Sequence, residues 1–410
     1  MNQVTKDPIQ PLATEFDTPV NHAAQLGNGP PPDLNVHRSE GRSTLILGTS
    51  RDLAGRRLTF GRDNSFHIEL RRRVDEYFRR TGRPQRDCPE MYLKTAVILA
   101  TFVGLYLLLV FTAGTWWQAL PLSILLGFAM AAIGFNIEHD GGHQSYSNYG
   151  WVNRLMAMTM DLIGASSYVW HWKHSVVHHT YVNITGHDAD IDIGPFGRLT
   201  PHQKLLSFHR WQHFYLWPLY GVNVIKWHLF DDFRDVILGQ IAGHRILRPK
   251  RWALVGFISA KALFLATAFA VPFLLHRIWV VCLFYAVTVI VAGVVVSVVF
   301  QLAHCVEEAE FPLPKSPSTV TNAWAIHQVE TSVDFARGSR LASWLFGGLN
   351  FQIEHHLFPR VCHVNYPAIS KVTEQTCREF GVKYREHGSL RAGLASHFRW
   401  LRRMGRPATS

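Results

Sequence analysis

The segment Glu138-His139-Asp140-Gly141-Gly142-His143 closes a long apolar run, and His174-Ser175-Val176-Val177-His178-His179 follows it. A related piece, Gln352-Ile353-Glu354-His355-His356, stands far downstream. On an α-helix, side chains at i and i+4 share a face. His139 with His143, and His174 with His178, are therefore expected to present imidazoles side by side. The doublets His178-His179 and His355-His356 add a second direction, so that one box can reach two metal ions. Imidazole binds iron, zinc, copper and nickel, so ligand type alone leaves the metal open. These histidines are read as converging on one metal centre at a membrane surface.

The apolar runs set the fold. Thr95 to Ile137 contains no Asp, Glu, Lys or Arg, and one spanning helix needs only about 20 apolar residues. The run therefore reads as two spans, about 95–115 and 118–137, turning near Gly114 to Pro121 with Trp116 and Trp117 at headgroup level. A second pair, about 252–275 and 278–303, turns near Pro272, His276 and Arg277. Lys261 inside the third span fits either snorkelling or a polar contact within the bundle. Lys and Arg crowd the segments before, between and after the pairs and are nearly absent from their turns, which places both termini and the 138–251 loop in the cytoplasm. Every histidine box then falls on one side. The fold class is an all-α integral membrane protein, four transmembrane helices as two hairpins under a cytoplasmic helical cap.

The rest of the chain fits that frame. Residues 1–45 read as a disordered leader, 46–90 as a basic cytoplasmic or interfacial segment, 91–372 as the membrane domain and 373–410 as a basic cytoplasmic tail. Phe66 to Arg80 forms a basic amphipathic helix, either solvated or lying on the membrane. The net charge of +11 comes mostly from arginine beside apolar spans, which suits an anionic membrane face; no nucleic-acid signature accompanies it. Five scattered cysteines indicate a reducing compartment, and no secretory signal opens the chain.

With 23 histidines in 410 residues, roughly one HxxxH pair arises by chance. His209 with His213 is read as such a decoy. Three boxes on one membrane face are far rarer. HDGGH, then HSVVHH followed by Thr180-Tyr181-Val182-Asn183, then FQIEHHLFP, resembles the membrane fatty-acid desaturase family over about residues 90 to 372. Gln352 in place of a first histidine resembles the front-end, linoleoyl-CoA-type branch.

The resemblance implies a non-haem di-iron centre with dioxygen as co-substrate and no haem or flavin in this chain. His139 and His143 match the first box, His174, His178 and His179 the second, and Gln352, His355 and His356 the third. His304, in Gln301-Leu302-Ala303-His304, matches an additional family histidine. Gln352, His171 and His327 are carried as weaker ligand or surrounding candidates, and Trp170 and Trp172 as walls of a substrate tunnel. Asp140 and Glu354 fit either imidazole-orienting acceptors or water-facing carboxylates. Asp188, Asp190 and Asp192 read as local hydrogen-bonding and capping residues, and Asn350 as a supporting residue of the third box. Gly141 and Gly142 permit close helix approach.

The implied reaction is O2-dependent insertion of a cis double bond into an acyl chain carried on coenzyme A, a carrier protein or a lipid. Residues 1–90 lack the fused cytochrome b5 domain of many front-end members, so electrons are expected from a ferredoxin, a flavoprotein reductase or a cytochrome b5-like protein. A bacterial inner membrane is the expected location. The same oxidant also serves hydroxylation, epoxidation or acetylenation. A metal transporter conflicts with boxes at span ends, a zinc protease with the absence of HExxH, and a basic membrane scaffold leaves the boxes without a role.

Overall fold

The structure, a computed structural model, describes residues 57–315 and 318–407; the leader expected over 1–45 lies outside them. The described chain is mostly helical. Ser65–Thr81 (α1) precedes two long helices, Pro89–Thr112 (α2) and Trp116–Gly142 (α3). The second box lies in a helical segment over 167–181 (α4), followed by Gln212–Tyr220 (α5) and Val222–Lys226 (α6). Trp252–Leu275 (α7) and Ile278–His304 (α8) are again long. Gln352–Leu357 (α9), Tyr366–Glu379 (α10) and Leu390–Met404 (α11) complete the set used below. Four of these, α2, α3, α7 and α8, are long and apolar enough to cross a membrane.

Hydrogen bonds tie the long helices together away from the histidines. The Tyr106 hydroxyl donates to Thr267 O at 2.7 Å, and His276 Nε2 donates to Val110 O at 2.6 Å, so α2 and the end of α7 are locked. Lys261 resolves as a polar contact inside the protein. Its ammonium donates to Asp232 at 2.6 Å and to Gly164 O at 2.7 Å. Asp232 also accepts from Ser166 N at 2.7 Å, and Ser166 caps the start of α4 by accepting from Val169 N. A buried ion pair on α7 thus fixes where the second box begins.

The apolar face of the basic amphipathic helix is buried in the protein. In α1 the residues Phe66, Leu70, Val74 and Phe78 recur every fourth position and are buried. They pack with Val329, Phe351, Ile353 and Ile369, behind the third box. Residues 373–404, expected as a tail, are likewise built into the body. Trp400, Leu401 and Met404 of α11 are buried with Leu199, Tyr220 and Phe311. Among the described residues, two of the three two-stranded sheets join distant segments; in one, Asp334–Phe335 pairs in parallel with Glu386–His387 and so brings the C-terminal region to the approach of α9.

Candidate metal centre

The local helix type departs from the α-helical expectation where it matters. Gly134–Glu138, just before His139, is a π-helical turn, and all of His171–His178 is π-helical. Such turns pair residues i and i+5 and occur mostly at functional sites. The neighbour of His174 is therefore His179, with their Nε2 atoms 3.3 Å apart. The rings of His174 and His178 stack 5.2 Å apart; His174 falls with His139, His143 and His355, His178 falls with His304 and His356, and the two also meet Asp190. His139 and His143, in the short α-helical turn that follows, lie side by side at 4.8 Å.

Two groups of buried imidazoles result. In the first, ligand atoms of His139, His143, His174 and His355 lie within 4.8 Å of one another. In the second, those of His178, His304 and His356 do so, and His179 with His355 and His356 forms a third overlapping set between them. Gln352 sets its amide against the second group, 3.0 Å from His304 Nε2 and 3.2 Å from His356 Nε2. His139 Nε2, His143 Nε2, His178 Nε2, His179 Nδ1 and His355 Nε2 are buried without any hydrogen-bond partner. Buried polar nitrogens are rarely left so. A set of orphaned imidazole nitrogens facing one another is a donor set that fits metal ions.

Partners behind the rings differ between the groups. His178 Nδ1 meets both oxygens of Asp188 at 3.2 Å, His304 Nδ1 donates to Thr331 O at 3.1 Å, and His356 Nδ1 donates to Gln328 Oε1 at 2.9 Å. Such contacts fix the tautomer and aim the other nitrogen inward. Asn183 reinforces them: its backbone N–H donates to Asp188, and its amide donates to His304 O, Glu310 O and Thr331 O. In the first group, His355 Nδ1 lies 3.4 Å from the Tyr366 hydroxyl. Among the described residues, His139 and His143 have ring contacts alone, with Trp170 packed at 5.8 and 5.3 Å. A Cβ on Gly142 would collide with the Trp170 ring, so this glycine is required by that approach.

Electrostatics favour metal-binding forms. Burial, then the surrounding imidazoles, pushes His143, His174, His179, His355 and His356 well below the usual histidine range. They are therefore neutral and carry a free lone pair at neutral pH. Burial also depresses His178, but the charge and hydrogen bond of Asp188, with Asp190, outweigh it and raise this imidazole.

A cavity of about 1040 Å³ reaches the site, with His139, His174 and Trp170 in its wall. Its apolar depth is lined by Met130, Ile163, Val224, Val296 and Phe300, and elsewhere it carries Asp190, Lys204, Lys226, Asp231 and Arg234. Trp172, expected beside Trp170, is not part of it and packs toward Val169 and Ile241. His171 touches Trp172 at 5.8 Å and joins neither histidine group. His327 is buried with its ring against Phe60 and is also outside both. The carboxylates inside the boxes have other partners than ligand imidazoles. Asp140 accepts from His363 Nδ1 at 3.0 Å, and His363 Nε2 meets Lys94 at 3.1 Å.

Glu354 is buried against the Tyr384 hydroxyl, at 3.1 and 3.3 Å, and Asp334 meets that hydroxyl at 2.5 Å. Burial raises both carboxyls, and the Asp334 charge raises Glu354 further, so the pair retains a proton. Asp334 also accepts from Ile353 N and thereby anchors the start of α9. Asn350 supports the same loop by donating to Ser343 Oγ at 3.2 Å. His209 and His213 stay away from the centre; His209 donates to Pro195 O. Asp188 does cap its local turn, accepting from Asp190 N, but it also holds His178. Gln328, Thr331 and Tyr366 carry no motif that would mark them.

Residues 115–388 match the fatty acid desaturase family. The chain belongs to that family. It is 40% identical over 349 residues to the sn-1 linoleoyl-lipid 6-desaturase of Arthrospira platensis, covering 85% of this chain and 95% of that one. It is 36% identical over 356 residues to the protein of the same name from a Synechocystis strain, covering 86% and 99%. An acyl-lipid (8-3)-desaturase of the moss Physcomitrium patens is 33% identical over 347 residues, covering 84% and 72%. The desaturase reading therefore stands over hydroxylation or acetylenation. The protein is an oxidoreductase of lipid metabolism, a fatty acid desaturase with four helices able to cross a membrane among its described residues.

Proposed function

We propose that the eight histidines 139, 143, 174, 178, 179, 304, 355 and 356 hold two iron ions, with Gln352 beside the second. With O2 they convert a linoleoyl chain on a membrane glycerolipid to one with a new cis double bond at position 6. The observation that carries the metal part is the clustered set of buried imidazoles with orphaned nitrogens, with His139 and His174 in the wall of the large cavity. The substrate part follows the printed activity of the two relatives that match nearly end to end.

Bound iron would supply the oxidant, since no side chain can break an unactivated C–H bond. Dioxygen accepts four electrons, two from the adjacent C–H bonds and two from an external donor. With two further protons, two waters leave. The protein holds the neutral imidazoles, excludes water from the cavity and places one carbon pair beside His139 and His174. Asp188, Thr331 and Gln328 keep three rings aimed inward.

The donor is a ferredoxin, a flavoprotein reductase or a cytochrome b5-like protein docking on the basic side of the molecule. The positive-inside bias supports two hairpins in a bacterial inner membrane, with both termini and the site cytoplasmic. The test is expression of the full chain in a host with defined lipids fed linoleate, with iron counted per chain and new double bonds mapped. Two irons and a new bond at position 6 are expected. Added oxygen without loss of hydrogen, or zinc in place of iron, would sink the proposal.

A further inference from the structure

A second space bears on how the substrate arrives. A groove of about 550 Å³ is lined by Phe196, Phe208, Trp211, Tyr215, Leu219 and Val222 together with Pro218, with no charged residue among them. Phe196, Leu219 and Val222 also line the large cavity that reaches His139 and His174. These three side chains form the junction of the two spaces. Phe196, Phe208, Trp211 and Val222 are exposed although apolar. Exposed apolar patches of this kind mark interaction or membrane sites.

The surroundings identify which. Gly221, immediately before α6, is pressed onto α8: a Cβ on Gly293 would lie 2.6 Å from Gly221 O. The chain entering α6 at Gly221 is therefore held directly against a helix long and apolar enough to cross a membrane. At the other end of the groove the Arg210 guanidinium sits over the Trp211 ring at 5.5 Å. Tryptophan with a nearby cation is the composition of the headgroup level. The groove thus has an interfacial end and a junction against a long apolar helix.

We propose that this groove is a lateral portal through which one acyl chain of a bilayer glycerolipid passes into the cavity, its headgroup staying beside Trp211 and Arg210. The inference rests on the reading of membrane lipid as substrate and adds the route. The junction is tested with Leu219→Trp and Val222→Trp, which fill it, and the groove alone with Phe208→Asp, which puts a charge in it without touching the cavity. The full chain is placed in phosphatidylcholine vesicles carrying linoleoyl chains. New double bonds, iron per chain and glycerolipid co-purified with the protein are measured.

All three variants are expected to keep their iron while losing about tenfold or more of turnover. They should also lose co-purified glycerolipid, whereas Ile237→Asp, at an exposed apolar residue lining neither space, should keep both. Wild-type turnover and lipid content in iron-loaded Phe208→Asp would overturn the portal. If a filling variant lost its iron, Phe208→Asp and Ile237→Asp would decide. An iron-loaded wild type that desaturates no vesicle lipid would refute the substrate reading instead, while lipid retention by Phe208→Asp would still judge the groove.

Discussion

The two halves of the histidine site are built on different principles. Behind His178, His304 and His356 stand Asp188, the Thr331 carbonyl and Gln328, so each ring is aimed by a hydrogen bond. His139 and His143 are aimed by packing, against Trp170 and one another. Hydrogen bonds fix a tautomer and an angle; packing fixes a position and leaves the ring to be oriented by what it binds. The first group is also the one that borders the cavity, through His139 and His174. The half nearer the substrate space is thus held mainly by shape, with the long His355–Tyr366 contact as its one hydrogen bond, among the described residues, to a residue outside the histidines.

The largest effects test whether both halves are needed. Replacing His178 or His139 by Ala should bring iron and turnover down together, to background, by metal analysis and product mapping; a variant retaining both would remove that residue from the centre. Next comes the aiming hydrogen bond. Asp188→Asn keeps the shape but removes the charge behind His178, and should cost ~10–100-fold in iron affinity or turnover. An unaffected variant would erase the contrast between the halves.

The packed half is probed by Gly142→Ala, whose added methyl must displace Trp170. Overpacking of that kind costs about 1–3 kcal/mol. A lower melting temperature and reduced turnover are expected, with the iron of the second group retained. The smallest change is Tyr366→Phe. It removes the long 3.4 Å contact to His355, a neutral hydrogen bond worth about 0.5 kcal/mol, or roughly twofold in iron affinity. A loss as large as that of Asp188→Asn would show that the first half is aimed after all.

Much of this was legible in residue order. The charge-free run from Thr95 to Ile137 and the valine-rich run before His304 stand in the structure as long helices, with the first box and His304 at their ends. The apolar stripe of α1 was visible, but its burial against Ile353 and Ile369 was not, because periodicity names a face without naming its partner. The π-helical register of His171–His178 left no trace in spacing, since an i→i+5 bond reflects tertiary demands on the backbone. Gln328 and Thr331 could not be singled out, because a lone polar residue becomes an acceptor for a ligand only once distant segments meet. Asp188 was seen, yet its second role depends on the turn at Asn183, whose φ of +58° reverses the chain. Lys261 stands out in an apolar span, but the buried Asp232 that pairs with it lies in another segment.

The two histidine doublets have a consequence of their own. His178 belongs to the second group and His179 to the set between, while His355 belongs to the first and His356 to the second. Each doublet bridges neighbouring ligand sets with a single peptide unit, whose Cα atoms are about 3.8 Å apart whatever the surrounding helices do. The spacing between the sets is therefore carried by two covalent rulers. Thermal breathing of the bundle can shift the pair as a body, but it cannot easily stretch one set away from the other.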